Sequence, residues 1–261
     1  MALYMKTIIF CMLTCVLQAG PVLVAKFGQP ECPWSEQLKK EVWNSSTFNS
    51  LLEAEGIEKD EVAATPEDRD LPVFTLLTDE GDEMGSLGFL LISPDKYVDL
   101  FKEMIAIHQV CFSKAELTTE QRLHFYRKAQ LLHMTACEEK LMSEGLQQDT
   151  GVDFLIEQYA KVVKEHPRRA HKIKQEIRQR MPEDAATEWA LALISFQAKQ
   201  IVQPLEKFLR DYGMDQNYAW RCHLVLSEFY RENNQLEKSK HHAKHALDGA
   251  PIEIKGVIAA S

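Results

Sequence analysis

Pro21-Val22-Leu23-Val24-Ala25-Lys26-Phe27 runs into Gly28-Gln29-Pro30-Glu31 and then into Cys32-Pro33-Trp34-Ser35. The first seven residues are short, apolar and rich in valine, the pattern of a buried strand. The segment from Gly28 to Pro33 breaks it. From Ser35 to Leu52 the residues Leu38, Val42, Trp43, Phe48 and Leu51 recur mostly three to five apart. That spacing predicts a helix, interrupted around Asn44-Ser45-Ser46. Cys32 therefore stands between a strand and the first turn of a helix. Backbone N–H groups are unpaired there and carry partial positive charge, and both favour thiolate over thiol. A cysteine so placed ionises below the free value of about 8.5. Pro33 suits the first helical position, where a missing N–H costs nothing. Trp34 offers a flat apolar surface to an unfolded substrate. Ser35 is placed to donate a hydrogen bond to the thiolate.

Working outward, Pro72 to Leu77 reads as a second strand, Asp79-Glu80-Gly81 as a hairpin turn, and Met84 to Leu91 as the return strand. Gly56 to Ala64 has room for one more short strand, and Thr65 to Asp70 is a polar loop. Ser93 caps a helix that Pro94 opens and that runs to about Val110. After residue 115 no strand pattern returns. Helical patterns follow one another over 119–146, 151–165, 168–181, 184–197, 202–212, 218–232 and 236–247. The expected division is thus an α/β domain over 20–115 and an all-α domain over 116–261.

The strand, the Cys-Pro-Trp-Ser motif, the helix, the Leu71-Pro72-Val73-Phe74 segment, the hairpin and the final helix resemble a thioredoxin-like domain. The likeness covers roughly residues 20 to 112 and is greatest to exported bacterial thiol-disulfide exchange and disulfide isomerase-like proteins. It implies that Cys32 is the nucleophile of a redox-active centre and that Pro72 is cis and packs against the active-site sulfur. It also implies that Leu71 presents its backbone to substrate, with Pro33 and Trp34 beside it. Two departures stand out. Ser35 occupies the place of the second cysteine, so Cys32 has no motif partner with which to close an internal disulfide. Disulfide shuffling survives that loss, because a substrate thiol releases Cys32. Lys26 stands where many thioredoxins carry a buried acid. The short stretch between Leu52 and Pro72 also implies that one helix of the fold is missing.

Trp220 to Pro251 resembles one tetratricopeptide repeat, through Leu226, Ser227, Tyr230, Ser239, Ala246 and Pro251, with Ala243 where an aromatic is usual. Trp189, Phe196 and Leu209 fit an earlier unit loosely. A helical-repeat array would hold a protein partner on its concave face. The alternative is a helical cap that only stabilises the first domain.

Thr7 to Leu17 is an apolar run of eleven residues behind Lys6, followed by Gln18-Ala19-Gly20. It is too short to span a bilayer and has the length of a signal-peptide core, so residues 1–19 read as an export signal. The alternative is a buried element of the first domain. The destination expected is the periplasm, with no membrane contact beyond the signal. Cys11 and Cys15 would leave with it. Cys32, Cys111, Cys137 and Cys222 remain at no metal-ligand spacing, and the last three sit in apolar helical contexts where a thiol acts as a small hydrophobe.

The 261 residues carry a formal net charge of −9, which argues against nucleic acid as a partner. His241, His242 and His245 read as a solvated helix face, since no third ligand completes a metal site. No phosphate loop, hydrolase triad or zinc-protease motif is present. The expected activity is isomerase-type thiol-disulfide exchange on cysteine-containing client proteins, with no cofactor and no metal. The alternative is a non-catalytic thioredoxin-fold module that binds or scaffolds other proteins.

Overall fold

The computed structural model describes residues 20–28, 32–65, 68, 71–113, 116–147, 152–215, 217–252 and 254–255. The expected export signal lies outside the described residues, as do Gln29, Pro30 and Glu31 before Cys32.

The chain divides into two compact units, residues 1–147 and 148–261. The first is built on a four-stranded mixed sheet in the order β2-β1-β3-β4. The strands are β1 (Val22–Lys26), β2 (Glu58–Glu61), β3 (Val73–Leu77) and β4 (Glu83–Gly88). β1 runs parallel to β2 and antiparallel to β3, and β3 runs antiparallel to β4. Side chains alternate across a strand, so Leu23 and Ala25 of β1 and Phe74 and Leu76 of β3 share one face, each fully buried. β2 is Glu-Lys-Asp-Glu, exposed along its whole length. A charged edge of this kind resists pairing with other chains.

The crossover from β1 to β2 is helical. It comprises α1 (Pro33–Leu38), a π-helical turn (Lys39–Trp43), and α2 (Ser46–Ala54). The expected interruption falls at Asn44 and Ser45, where the Ser45 hydroxyl accepts from the Phe48 N–H at 3.5 Å and starts the second helix. Between β2 and β3 no helix occurs among the described residues. The hairpin turn sits at Asp79-Glu80-Gly81. Gly81 takes a φ of 89°, open to glycine at little cost, and Thr78 N–H donates to Asp82 O at 2.8 Å.

The return strand ends at Gly88, short of the expected Leu91. The Tyr97 hydroxyl accepts from Leu90 N–H at 2.7 Å and donates to Leu90 O at 3.0 Å, drawing that backbone off the ladder. Tyr97 lies on α3 (Pro94–Phe112), whose Tyr97, Phe101, Met104 and Ile107 form a buried stripe at helical spacing. Its rings meet those of Phe74 and Phe48, with Phe74 5.5 Å from Tyr97, and Phe74 in turn stacks 5.6 Å from Trp43. Aromatic packing of this density dominates a small core.

The first unit runs past the change of composition near 115. The expected helix over 119–146 is two helices, α4 (Thr119–Leu131) and α5 (Thr135–Leu146), split at His133 with φ 51°. Their turn lies along β4. Ser86 N–H donates to Leu132 O at 3.2 Å, and Met134 is fully buried. The added helices thereby cover the otherwise open edge of the sheet.

The second unit is all helix among its described residues. It comprises α6 (Val152–Val162), α7 (Pro167–Arg180), α8 (Ala185–Lys199), α9 (Gln203–Tyr212), α10 (Ala219–Glu232) and α11 (Leu236–Gly249). Consecutive helices pair, α6 with α7, α8 with α9 and α10 with α11. Trp189, Phe196, Leu205, Phe208, Leu226 and Tyr230 share one core. Ser227 and Ser239 each donate a hydroxyl to the other's carbonyl, at 3.1 and 2.9 Å, so α10 and α11 lie close. No helix of the described residues is long and apolar enough to cross a membrane.

Candidate active site

Cys32 is the N-cap of α1, with φ −80° and ψ 107°, and its carbonyl accepts the first helical bond from Glu36 N–H at 3.1 Å. Pro33 fills the first helical turn. The π-helical turn continues α1, so the helix behind Cys32 extends to Trp43. Cys32 is partly exposed, whereas Cys111, Cys137 and Cys222 are buried.

The thiol of Cys32 is held below its ordinary pKa. The largest cause is a side-chain hydrogen bond from Ser35, followed by the Ser35 backbone N–H. The Trp34 N–H adds to them, while desolvation and the Glu36 carboxylate work the other way. Ser35 is itself fixed. Its side chain is buried, and its Oγ accepts from Gly28 N–H at 2.8 Å. With that lone pair engaged, the hydroxyl hydrogen is free to point at sulfur. Gly28 N–H thus fixes the Ser35 side chain, which is the largest influence stabilising the Cys32 thiolate.

Gly28 is a site residue that sequence reasoning treated only as a strand breaker. A Cβ there would stand 3.1 Å from Ser35 Oγ, 3.3 Å from Cys32 Cβ and 3.6 Å from Cys32 Sγ. The bare backbone of Gly28 is therefore what allows its N–H to approach Ser35. The signal available in the sequence was its place just after the strand that leads to the motif. Beside it lies a cavity of about 360 Å³ lined by Phe27, Gly28, Ser35, Lys39 and Glu61 among others. Lys39 and Glu61 form an ion pair in its lining.

Strand register brings the remaining site residues to the same end of the sheet. Val73 pairs with Lys26 and with Gly88. Pro72, one residue before Val73, therefore lies beside the exit of β1 that leads to Gly28. The Leu71–Pro72 peptide is cis and Pro72 is buried, while Leu71 is half-buried. Phe89, one residue after Gly88, packs against Trp34 with ring centroids 5.1 Å apart and the planes tilted by 38°. Phe89 is a second residue that the sequence reading did not single out, since it was taken as part of a strand. Trp34 is 54% exposed and Leu91 80% exposed. Together with Leu90 they present an apolar surface at this end of the sheet.

Lys26, in place of the usual acid, is neither buried nor unpaired. Its Nζ lies 2.8 Å from Asp68 Oδ1, and that bond is the main reason the Asp68 pKa falls to about 2.

In the helical unit His241, His242 and His245 are joined by His223 of α10. His223 Nδ1 and His242 Nδ1 lie 2.9 Å apart, and His223 stacks on His245 at 5.0 Å. His242 is half-buried, so the cluster is not the simple solvated face that its sequence spacing suggested. Burial, and then the neighbouring histidines, push His223 down to about 4 and lower His242. Among the described residues no group of three or more His, Cys, Asp or Glu is arranged to hold a metal ion.

A mixed sheet, a cysteine at the head of the helix after β1 and a cis-proline opening the antiparallel β3 define a thioredoxin-like arrangement, here followed by a helical region. The chain is similar to the thioredoxin-related protein DsbJ of Chlamydia pneumoniae, 25% identical over 163 residues. That likeness covers 56% of this chain, and the chain spans 47% of the relative's length. No family model matches the sequence. No solved structure matches it at a significant level.

Proposed function

We propose that this protein is an exported thiol-disulfide exchange protein of isomerase type, with Cys32 as its single nucleophile. The observation that carries the reading is a partly exposed thiol at a helix start, its pKa lowered chiefly by a Ser35 side chain that Gly28 N–H fixes. The thioredoxin-related name of the similar protein supports the same chemistry.

The reaction needs only thiols and disulfides. The Cys32 thiolate attacks one sulfur of a client disulfide, and the second client sulfur leaves as thiolate. Another client thiolate then attacks the client sulfur of the mixed disulfide and expels Cys32 as thiolate. One client disulfide is exchanged for another, with no net electron transfer. Ser35 donates to the sulfur whenever it is anionic, on attack and on release. Trp34, Phe89, Leu90 and Leu91 would bind apolar side chains of a partly folded client. Leu71, ahead of the cis bond, would offer backbone groups to an extended client segment. The helical unit would hold the client or a partner protein. A periplasmic location fits the apolar N-terminal run.

A second reading, a binding module that no longer catalyses, is favoured by one observation. Ser35 replaces the resolving thiol, and every other described cysteine is buried. The rate of Cys32 alkylation against pH, followed by peptide mass, separates the two. A midpoint well below about 8.5, together with reactivation of a scrambled-disulfide protein that Cys32→Ser abolishes, is the expected result. A midpoint at or above the free value leaves the binding module.

A further inference from the structure

Cys111 and Cys137 stand 26 residues apart in sequence, one near the end of α3 and the other in the first turn of α5. The fold brings them together. The two helices pack together, both side chains are buried, Cys111 at 4% and Cys137 at 1% exposure, and each thiol is the other's strongest electrostatic neighbour. The contact is part of a wider seam between α3 and α5. One residue beyond Cys111, the Phe112 ring lies 4.7 Å from Lys140 Nζ, and Lys140 is one turn beyond Cys137. The seam is therefore held beside the cysteine pair. A disulfide needs two cysteines that approach across such an interface.

We propose that Cys111 and Cys137 form an intrachain disulfide when the chain folds in the presence of a disulfide oxidant, stapling the added helices to the thioredoxin-like core. One cysteine thiolate attacks the oxidant's disulfide, giving a mixed disulfide and releasing one oxidant thiolate. The other cysteine loses its proton and attacks the first cysteine's sulfur, releasing the second oxidant thiolate. The two cysteines lose two electrons and two protons, and the oxidant gains two electrons as a pair of thiols. Because both sulfurs are buried, the bond forms before α5 closes against α3 and is afterwards shielded from exchange. It is a structural bond separate from the chemistry of Cys32.

The test uses full-length protein carrying Cys32→Ser, refolded with oxidised and reduced glutathione, then denatured and alkylated without reductant. The expected result is that the Cys111 and Cys137 peptides resist alkylation. They are recovered as one linked species, two hydrogens lighter than the separate peptides. Reduction should lower the Tm of the refolded protein by roughly 5–15 °C. A Cys111→Ala/Cys137→Ala variant should melt at the same temperature with and without reductant. Quantitative alkylation of both thiols in the oxidatively refolded protein would overturn the proposal.

Discussion

Ser35 is the residue on which the reactivity of Cys32 turns, because its hydroxyl is the largest influence lowering the thiol pKa. Removing the hydroxyl leaves the backbone donors and the helix start in place, so the shift should shrink without vanishing. Ser35→Ala is expected to raise the alkylation midpoint toward the free thiol value and to slow the reaction at pH 7 by roughly 3- to 10-fold. Gly28→Ala acts on the same bond from the other side. Its new Cβ would press on Ser35 Oγ at 3.1 Å and turn the hydroxyl away from sulfur. The same slowing should appear, with far-UV circular dichroism unchanged. The sign of the pH effect follows from the direction of the shift. The thiolate is the reacting species, and its pKa is depressed in the fold. Reactivity therefore persists below the ordinary thiol value and is lost as pH falls through the lower folded one. The motif and its helix start were legible in the sequence. The role of Gly28 was not, because it depends on how the loop returns over Ser35.

At the scale of the element, β4 is the strand whose surroundings the sequence concealed. A Cβ on Gly85 would meet Leu132 O and Met134 Cγ, each at 2.8 Å. Both contacts belong to the turn between α4 and α5, so the absence of a side chain is what lets that turn lie on the sheet. Gly85→Ala should push the turn off the strand, weaken the Ser86 to Leu132 hydrogen bond and destabilise the first unit by about 1–3 kcal/mol in urea unfolding. Unchanged stability would mean that the added helices are only loosely seated. The end of β4 carries a related lesson. A run of apolar residues to Leu91 reads as continued strand, yet Tyr97, which no local pattern in the strand reveals, captures the Leu90 backbone.

At the scale of the whole molecule, the two units should answer acid differently. His223 in the helical unit titrates at about 4 when folded, chiefly through burial and then through the charges of His242, His245 and His241. Glu206 opposes the shift at His242, and Lys238 reinforces it. An unfolded histidine titrates near 6.5. Between these values the unfolded state binds more protons, so stability falls as pH drops from about 6.5 to about 4 and levels off below. His223 is only half-buried, and solvent screening reduces the effect to on the order of 1–2 kcal/mol. Urea unfolding followed at pH 7.5 and pH 5 should show that loss in the wild type. It should be much smaller in His223→Gln.

By itself the sequence determined the kinds of element and their order. Alternating valines made β1, the Pro-Val-Phe segment made β3, helical spacing made α3 and α6 to α11, and Cys-Pro-Trp-Ser at a strand-to-helix junction marked the site. Each of these is a local pattern, set by backbone sterics and by which face of one segment is apolar. Tertiary structure alone decided that α4 and α5 belong to the first unit, that Gly28 and Phe89 join Cys32, that His223 meets the histidines of α11, and that Cys111 and Cys137 are buried on two packed helices. These are contacts between residues far apart in sequence. They depend on sheet register and helix packing, which no single segment encodes.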